Sequence, residues 1–338
     1  MAGGPKVAIL GAGSVGCFIG GAWASAGVPV TLIGRPRLSG DIDQHGLTLS
    51  DYSGWQAHLA PGDVDYRCGP EALDEARIIA LTVKSGDTAA AADEIAKHAT
   101  QGATVISFQN GVSNIEVLEQ GLGGRFEVAR GMVPYNVAYL GNGRFHKGVA
   151  GELYAEQRAG VRPLADAVAG GPAALKFSDD MLGLAWGKLL INLNNAVNAL
   201  SGRTLQEELK HRDYRRVFAA SIEEGLELLK RADIEPAAVG PISLAMLPRL
   251  LNSPDWLFNR LFLKRWKIDA KARSSMADDL AAGRKTEIDY LNGELVRLAG
   301  RLQRAAPVNR AIVDLVRKAE AGAEPLAPTA LRKAALGR

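Results

Sequence analysis

Short apolar segments rich in β-branched residues alternate with helical periodicity through the first half of the chain. These segments are Val7–Leu10, Val30–Ile33, Ile78–Val83 and Thr104–Phe108. A continuous apolar run of this length is typical of a strand that is buried on both faces. Strands that alternate with helices in this way predict a parallel sheet covered by helices on both sides.

Strand signals become denser after Arg125. The segments Val128–Val133, Asn136–Leu140 and Phe145–Val149 are separated by little more than turn residues such as Gly141-Asn142-Gly143. This close spacing predicts hairpin strands that extend the sheet.

From Ser178 onward, the strand signals fade and helical periodicity continues to about Ala321. Ser178-Asp179-Asp180 predicts a helix start, because a serine oxygen caps free amides and carboxylates favour the positive end of the helix dipole. We therefore expect an α/β domain over residues 1–177 and an all-helical domain over residues 178–323. Residues 324–338 contain two prolines and no strong apolar period, so we expect a loose tail.

Composition and charge narrow the classes of function. The chain has 338 residues, of which 47% are hydrophobic and 23% are charged, as in soluble globular proteins. Forty basic and thirty-seven acidic residues give a net charge of +3 and are spread along the chain. We therefore predict a small-molecule partner, with neither nucleic acid nor a membrane surface as a ligand.

The cysteines and the apolar segments indicate the cellular compartment of the protein. Cys17 and Cys68 by themselves can form neither a disulfide framework nor a four-ligand zinc site, which favours a reducing cytoplasm and no metal. We expect no export signal ahead of the first strand. The most apolar long segment, Leu182–Leu200, contains Lys188 and several asparagines, a polarity that excludes a lipid-facing span.

A glycine-rich turn follows the first predicted strand and opens a helix. Its sequence is Gly11-Ala12-Gly13-Ser14-Val15-Gly16. The first glycine permits the tight turn, the second lets the backbone approach a pyrophosphate, and the third lets the helix pack closely on the strand. Because the helix N-terminus then faces the anion, the motif predicts a Rossmann-type dinucleotide-binding domain.

The end of the second strand indicates which dinucleotide binds. It reads Ile33-Gly34-Arg35-Pro36-Arg37, with no carboxylate before Asp41. An acidic residue here bonds a ribose 2′-hydroxyl, whereas an arginine accommodates a 2′-phosphate. We predict NADP, as NADPH, with Arg35 as a cofactor residue; the alternative is that Arg35 and Arg37 are solvated loop charges.

Two other strand ends carry polar residues at the carboxyl edge, where open α/β sheets bind ligands. They are Thr82-Val83-Lys84-Ser85 and Gln109-Asn110-Gly111. Asn110 could bond a cofactor or a substrate, but spacing alone favours a simple Asn-Gly turn.

The helix predicted from Ser178 has two different faces. Its apolar stripe consists of Trp186, Leu190, Leu193, Val197 and Leu200. Lys188, Asn192 and Asn195 share the opposite face. Asparagine is a poor helix former, so these amides indicate either a binding cleft or an amide ladder that satisfies another helix, and the residues alone do not decide.

Two later segments carry further candidates. Glu287 precedes an apolar stripe, with a possible cap at Thr286, and a carboxylate in a first helical turn gains from the helix dipole without any other role. The aromatic stretch Trp256–Phe262 suits a dimer interface or a lid, although buried helix packing is the preferred interpretation.

Taken in order, the motifs resemble those of the ketopantoate reductases, or 2-dehydropantoate 2-reductases. The resemblance rests on the glycine-rich turn, Thr82-Val83-Lys84, Gln109-Asn110-Gly111, Trp186-Gly187-Lys188-Leu189-Leu190-Ile191-Asn192, Gly283-Arg284-Lys285-Thr286-Glu287-Ile288-Asp289 and Pro307-Val308-Asn309. It implies a two-domain enzyme that binds NADPH across a cleft and reduces ketopantoate to pantoate on the route to pantothenate and coenzyme A.

The resemblance also implies roles for single residues. Lys188 would be the general acid, and Glu287 would serve catalysis, keto-acid binding and the cofactor side. Lys84 would belong to the cofactor side and Asn110 would lie beside both nicotinamide and substrate. Asn192 and Ser275 would hold the keto acid.

One position departs from the family pattern. Where relatives often carry a second amide, eight residues after the lysine, this chain has Ala196, and Asn195 on the same helical face is the expected replacement. Three alternatives therefore stay open: reduction of another 2-oxo acid, dehydrogenation of imines or amino acids, and a non-catalytic dinucleotide sensor. A homodimer is a further expectation.

Overall fold

The computed structural model describes residues 4–238, 243–263, 268–269 and 271–337, and the chain divides into two compact units. The first unit is Met1–Met181 and the second is Leu182–Arg338. The twelve strands all lie in the first unit and are β1 Val7–Leu10, β2 Val30–Ile33, β3 Leu47–Asp51, β4 Gln56–Leu59, β5 Asp65–Arg67, β6 Ile78–Leu81, β7 Thr104–Ser107, β8 Glu127–Met132, β9 Val137–Tyr139, β10 Arg144–Lys147, β11 Leu153–Glu156 and β12 Leu175–Ser178, as far as the described residues show.

The α-helices fall into two groups. Those before the division are α1 Ser14–Ser25, α2 Pro36–His45, α3 Thr88–His98, α4 Asn114–Leu122 and α5 Arg162–Ala167. Those that follow are α6 Met181–Asn192, α7 Asn194–Ser201, α8 Leu205–Lys210, α9 Arg212–Arg231, α10 Leu247–Leu251, α11 Asp255–Phe258, α12 Ser275–Ala281, α13 Asn292–Arg301, α14 Pro307–Glu320 and α15 Pro328–Leu336. The predicted pairing of an α/β domain with a helical one is confirmed.

The main sheet has eight strands in the order β12-β11-β8-β7-β6-β1-β2-β5. The six neighbouring strands β8, β7, β6, β1, β2 and β5 pair in parallel, and β11 joins β8 antiparallel. Val7 and Ile9 enter the core on one face while Ala8 enters the core on the other, as the two-residue period of a strand requires. The four apolar runs predicted as core strands all lie in this sheet.

A second sheet, in the order β4-β3-β10-β9, corrects the hairpin prediction. Of the three segments expected to extend the main sheet, only β8 does so. Strands β9 and β10 pair with each other, and β10 pairs in parallel with β3. Their partner lies far back in the sequence, and local patterning does not reveal it.

Helix α1 packs against both sheets. A Cβ at Gly20 would lie 2.5 Å from Leu32 Cδ2 of the main sheet, and one at Gly21 would lie 2.3 Å from Leu47 Cδ2 of the second sheet. The helix is therefore buried along most of its length, as a helix that is apolar on every side requires.

Three expectations for the second half of the chain are wrong. Phe177 and Ser178 end strand β12, so the helix predicted from Ser178 begins at Met181. It also ends at Asn192, and a separate helix, α7, begins at Asn194. The helix expected after Thr286 is a short 3₁₀ turn over Ile288–Tyr290, and α13 begins only at Asn292.

The third wrong expectation concerns residues 324–338, which contain the helix α15 where a loose tail was expected. Leu331 of this helix is fully buried, and Tyr214 Oη of α9 donates a hydrogen bond of 2.7 Å to Leu326 O just ahead of the helix. Burial of one apolar stripe is sufficient to dock a helix of this length.

The aromatic stretch shows mixed burial. Phe258 is buried, whereas Trp256 is 71% exposed, so the preferred interpretation of buried packing holds for only part of it. The homodimer stays a prediction. Among the residues that the structure describes, no helix is both long and apolar enough to cross a membrane.

Candidate functional site

Two glycines of the turn are fixed by packing. Gly11 has φ +100°, and a Cβ there would lie 2.5 Å from Val83 N. A Cβ at Gly16 would lie 2.6 Å from Thr82 Oγ1 and 2.9 Å from Gly11 O. Both positions exclude a side chain because the turn approaches the end of β6 so closely.

Gly13 differs from both. It is exposed, and a Cβ there would meet only Gly11 O, at 3.9 Å. Helix α1 begins at the next residue, Ser14, with no side chain capping its first turn. Free space beside uncapped helical amides fits a pyrophosphate, which approaches the backbone and accepts hydrogen bonds from it.

The end of β2 presents cations to solvent. Arg35 and Arg37 are exposed, and Tyr66 Oη donates a hydrogen bond of 3.1 Å to Arg35 O. Asp41, the nearest following carboxylate in the sequence, accepts a hydrogen bond from Tyr139 Oη. The backbone at Arg35 is thus held while its guanidinium faces water, which suits recognition of a phosphate.

Asn110 leaves β7 in a turn that a buried polar network holds. Its carbonyl accepts hydrogen bonds from Ser85 Oγ at 2.7 Å and Asn114 Nδ2 at 2.5 Å. Gly111 follows with φ +89°, a conformation that favours glycine. The Asn-Gly turn predicted from spacing is present, and its network places Asn110 and the exposed Lys84 at the carboxyl edge of the sheet.

Lys188 lies on α6 in the second unit, and it is partly exposed, like Asn192 and Asn195. Desolvation lowers the pKa of the Lys188 ammonium to about 8, and the negative charge of Glu287 opposes this shift. The structure therefore brings Lys188 and Glu287 within electrostatic reach of each other. An amine with a pKa near neutrality can give up a proton at physiological pH.

A buried amide ladder also exists, but it uses residues that sequence reasoning missed. Asn194 Nδ2 donates to Glu208 Oε2 at 3.1 Å, and both residues are buried. Asn198, one turn further along α7, donates to Arg203 O at 3.1 Å and is fully buried. Buried amides of α7 therefore do satisfy other elements, whereas the binding-cleft interpretation of the face of Lys188, Asn192 and Asn195 stays a prediction. The four-residue spacing of Asn194 and Asn198 was the available signal for the buried pair.

Ser275 and Glu287 lie on separate segments of the second unit. Ser275 is the exposed first residue of α12, and the residue before it, Ser274, caps that helix. Glu287 is half-buried just before the 3₁₀ turn. Its neighbour Thr286 donates to Glu320 Oε1 of α14 through both N, at 2.8 Å, and Oγ1, at 2.7 Å. The interpretation of Glu287 as a carboxylate in the first turn of a long helix, stabilised by the helix dipole, is therefore wrong.

A glycine-rich turn at the carboxyl edge of a parallel sheet, where it opens a helix, is typical of a Rossmann-type dinucleotide-binding domain. Family models described as "Ketopantoate reductase PanE/ApbA" and "Ketopantoate reductase PanE/ApbA C terminal" match residues 7–160 and 180–320. The chain belongs to the ketopantoate reductase family and is an oxidoreductase of that family.

Single relatives match along nearly the whole chain. The 2-dehydropantoate 2-reductase of Pyrococcus abyssi is 27% identical over 326 residues, which cover 94% of this chain and 98% of that protein. The crystal structure of a ketopantoate reductase from Ralstonia eutropha JMP134 is 31% identical, with a TM-score of 0.79 and coverage of 94% and 98%. A D-mandelate dehydrogenase solved with NADH and anilino(oxo)acetate, 20% identical with a TM-score of 0.76 and the same coverage, shares the fold.

Proposed function

We propose that this protein reduces 2-dehydropantoate to pantoate with NADPH, and that Lys188 is the general acid. The observation that carries the proposal is the match of both ketopantoate reductase family models along the chain, and the role of Lys188 is supported by desolvation, which lowers its pKa to about 8. An acid whose pKa lies near the working pH is protonated in a useful fraction of molecules and still releases its proton readily.

Reduction of a keto group needs a hydride and a proton. The nicotinamide supplies the hydride to the carbonyl carbon when it is bound. The carbonyl oxygen gains negative charge, and Lys188 Nζ donates the proton that completes the hydroxyl. Glu287 keeps Lys188 protonated, because its charge raises the pKa of that lysine.

The remaining residues of the proposed site bind and orient. Asn192, Asn195 and Ser275 offer amide and hydroxyl donors, which suit the carboxylate and hydroxyl groups of a keto acid. Asn110 is proposed to lie beside both the nicotinamide and the substrate, and Lys84 is proposed to bind the cofactor. These roles follow from the family resemblance and agree with the partial exposure of the three amide residues.

The preference for NADPH is proposed from the end of β2. Arg35 presents its guanidinium to solvent after Gly34, and the one carboxylate that follows within α2's first turns, Asp41, is hydrogen-bonded to Tyr139. A guanidinium binds a 2′-phosphate in a bidentate manner, whereas a 2′-hydroxyl gains little from it.

A second candidate is reduction of a different 2-oxo acid by the same steps. Ala196 favours it, because this position is fully buried and carries no amide, so only Asn195 offers a second amide on the exposed face. A site whose second amide lies at a different position, or does not reach the substrate, discriminates less against acids that lack the pantoate hydroxyl.

The test is NADPH oxidation, followed by absorbance, with ketopantoate and a panel of other 2-oxo acids, and with NADH as the cofactor control. Preference for ketopantoate supports the first candidate, and preference for another acid supports the second.

Lys188→Ala should lower kcat by about 10²- to 10⁴-fold. The matched control is Lys210→Ala, which removes an exposed lysine. Tight NADPH binding without turnover of any 2-oxo acid would overturn both candidates and favour a dinucleotide sensor.

A further inference from the structure

Ser274 links α7 to α12 through its side chain. Its Oγ donates a hydrogen bond of 3.0 Å to Asn195 O on α7. The same oxygen accepts one of 3.1 Å from Ala277 N and so caps α12. Ser274 is only 3% exposed, so water does not readily replace either bond.

Asn198 supplies a second link between the same two helices. Its Oδ1 accepts a hydrogen bond of 2.9 Å from Ser274 N, while its Nδ2 donates to Arg203 O at 3.1 Å. The side chain is fully buried. Two residues of α7, three positions apart, therefore hold the same serine from both its backbone and its side chain.

The link joins two positions that have roles in the proposed site. Ser275 directly follows Ser274, and Asn195 itself provides the carbonyl that Ser274 holds. Helix α12 has 7 residues, too few for a helix to be stable on its own. The placement of Ser275 relative to Asn195 therefore depends on the contacts at Ser274.

We propose that Ser274 and Asn198 are positioning residues for keto-acid binding: their hydrogen bonds fix Ser275 of α12 and Asn195 of α7 in the relative placement that binds the substrate. This inference rests on the proposed function, which assigns Ser275 and Asn195 to the substrate. Neither Ser274 nor Asn198 faces solvent, so each acts through its neighbours.

The kinetic test compares Ser274→Ala, Ser274→Thr, Asn198→Ala and Ser275→Ala. Ser274→Ala and Asn198→Ala should each raise the KM for the 2-oxo acid about tenfold, equivalent to ~1.4 kcal/mol of lost binding, with the KM for NADPH unchanged. Ser274→Thr keeps the hydroxyl and should restore the KM. The control is Ser221→Ala, which removes another buried serine hydroxyl, bonded to Phe218 O at 2.8 Å within α9.

A double-mutant cycle separates positioning from loss of stability. If Ser274 acts through Ser275, Ser274→Ala should raise KM much less in the Ser275→Ala background than in the wild type. A general loss of stability would act equally in both backgrounds. Equal KM effects in the two backgrounds, or an equal effect of Ser221→Ala, would overturn the proposal.

Hydrogen exchange tests the same link without activity, so a failure of the proposed function leaves it testable. Ser274→Ala should speed amide exchange in residues 275–281 and 195–198, with α9 unchanged, because the lost bonds open only the α7–α12 contact. Unchanged exchange in both segments would overturn the positioning role. A wild-type protein that turns over no 2-oxo acid would overturn the proposed function instead.

Discussion

Two opposing effects set the protonation of Lys188. Desolvation lowers the pKa of its ammonium and is the larger effect, while the carboxylate of Glu287 raises that pKa, and the result is about 8 against an ordinary 10.5. A lysine in water would stay protonated far above neutral pH, which makes it a poor proton donor. The environment therefore supplies the acidity that the proposed chemistry needs.

A pH profile should report this balance. The reductive kcat/KM for the 2-oxo acid should be constant below pH 8 and should fall as pH rises through about 8, because Lys188 then loses its proton. Glu287→Gln removes the charge that raises this pKa, so the fall should move to lower pH. The measurement is kcat/KM against pH for both proteins, since this ratio reports groups of the free enzyme.

Glu71→Gln is the matched control for that experiment. It removes one negative charge from an exposed position of the first unit, so its profile should coincide with that of the wild type. A Glu287→Gln profile with an unshifted or higher inflection would contradict the assignment of the inflection to the Lys188–Glu287 pair.

At the scale of elements, two glycines of the turn that opens α1 should have different roles: Gly16 in packing and Gly13 in ligand binding. Gly16→Ala should destabilise the first unit by about 1–3 kcal/mol, because its Cβ would lie 2.6 Å from Thr82 Oγ1 and 2.9 Å from a backbone oxygen. Gly13→Ala should cost at most about 1 kcal/mol of stability, because Gly13 is the N-cap of α1 and alanine is disfavoured there. It should weaken NADPH binding about tenfold or more, because its methyl group would fill the space beside the helix N-terminus. Thermal unfolding and NADPH titration measure the two effects.

Gly300→Ala controls for the entropy gained when a glycine inside a helix, such as Gly16, becomes alanine. It lies in α13, and a Cβ there meets nothing within 4 Å. The assignment of the pyrophosphate to this turn would be wrong if Gly13→Ala bound NADPH as tightly as Gly300→Ala does.

The elements that sequence patterns predict well are those whose environment is the same on every side. Strands β1, β2, β6 and β7 lie inside the main sheet, and strands buried on both faces read as continuous apolar runs. Strands β3 and β4 alternate apolar and polar residues and pair only with each other and with β10. Because Ser50 meets His146 across 96 positions of sequence, no local window predicts that sheet.

The same reasoning applies to the candidate site. The glycine-rich turn and the face of Lys188 follow from spacing, because the residues of each lie close together in the sequence, on neighbouring elements. Glu208 and Ser274 were missed, because their roles arise from contacts with Asn194 and Asn198 on another helix. The tail was misjudged for a similar reason, since α15 is held by packing on α9.

At the scale of the whole molecule, buried ionisable groups link stability to pH. Arg215 is fully buried, and its guanidinium donates to three backbone carbonyls, those of Leu209, Leu251 and Ser253, at 2.7–3.0 Å. It also pairs with Asp255 at 3.0 Å. Glu208 is fully buried as well, but desolvation raises its pKa from 4.5 to about 8, so at neutral pH the folded protein keeps this carboxyl protonated.

The contribution of Glu208 to stability should therefore fall as pH rises from about 4.5 to about 8. In that interval, unfolded Glu208 has released its proton while folded Glu208 retains it, and stability decreases with pH wherever the folded state binds more protons. Glu208→Gln stays neutral at every pH and should lack this part of the decline. Thermal midpoints of the two proteins, measured from pH 5 to pH 8 in steps, should diverge, with the variant gaining relative to the wild type as pH rises.

Lys188 provides an internal check, because its linkage has the opposite sign. Its folded pKa of about 8 lies below the ordinary 10.5, so the unfolded state binds more protons between these values and stability should rise there with pH. Lys188→Met should remove that rise above pH 8 and leave the decline below pH 8 intact. Midpoints for wild type and Glu208→Gln that run parallel from pH 5 to pH 8 would show that Glu208 is ionised in the folded protein.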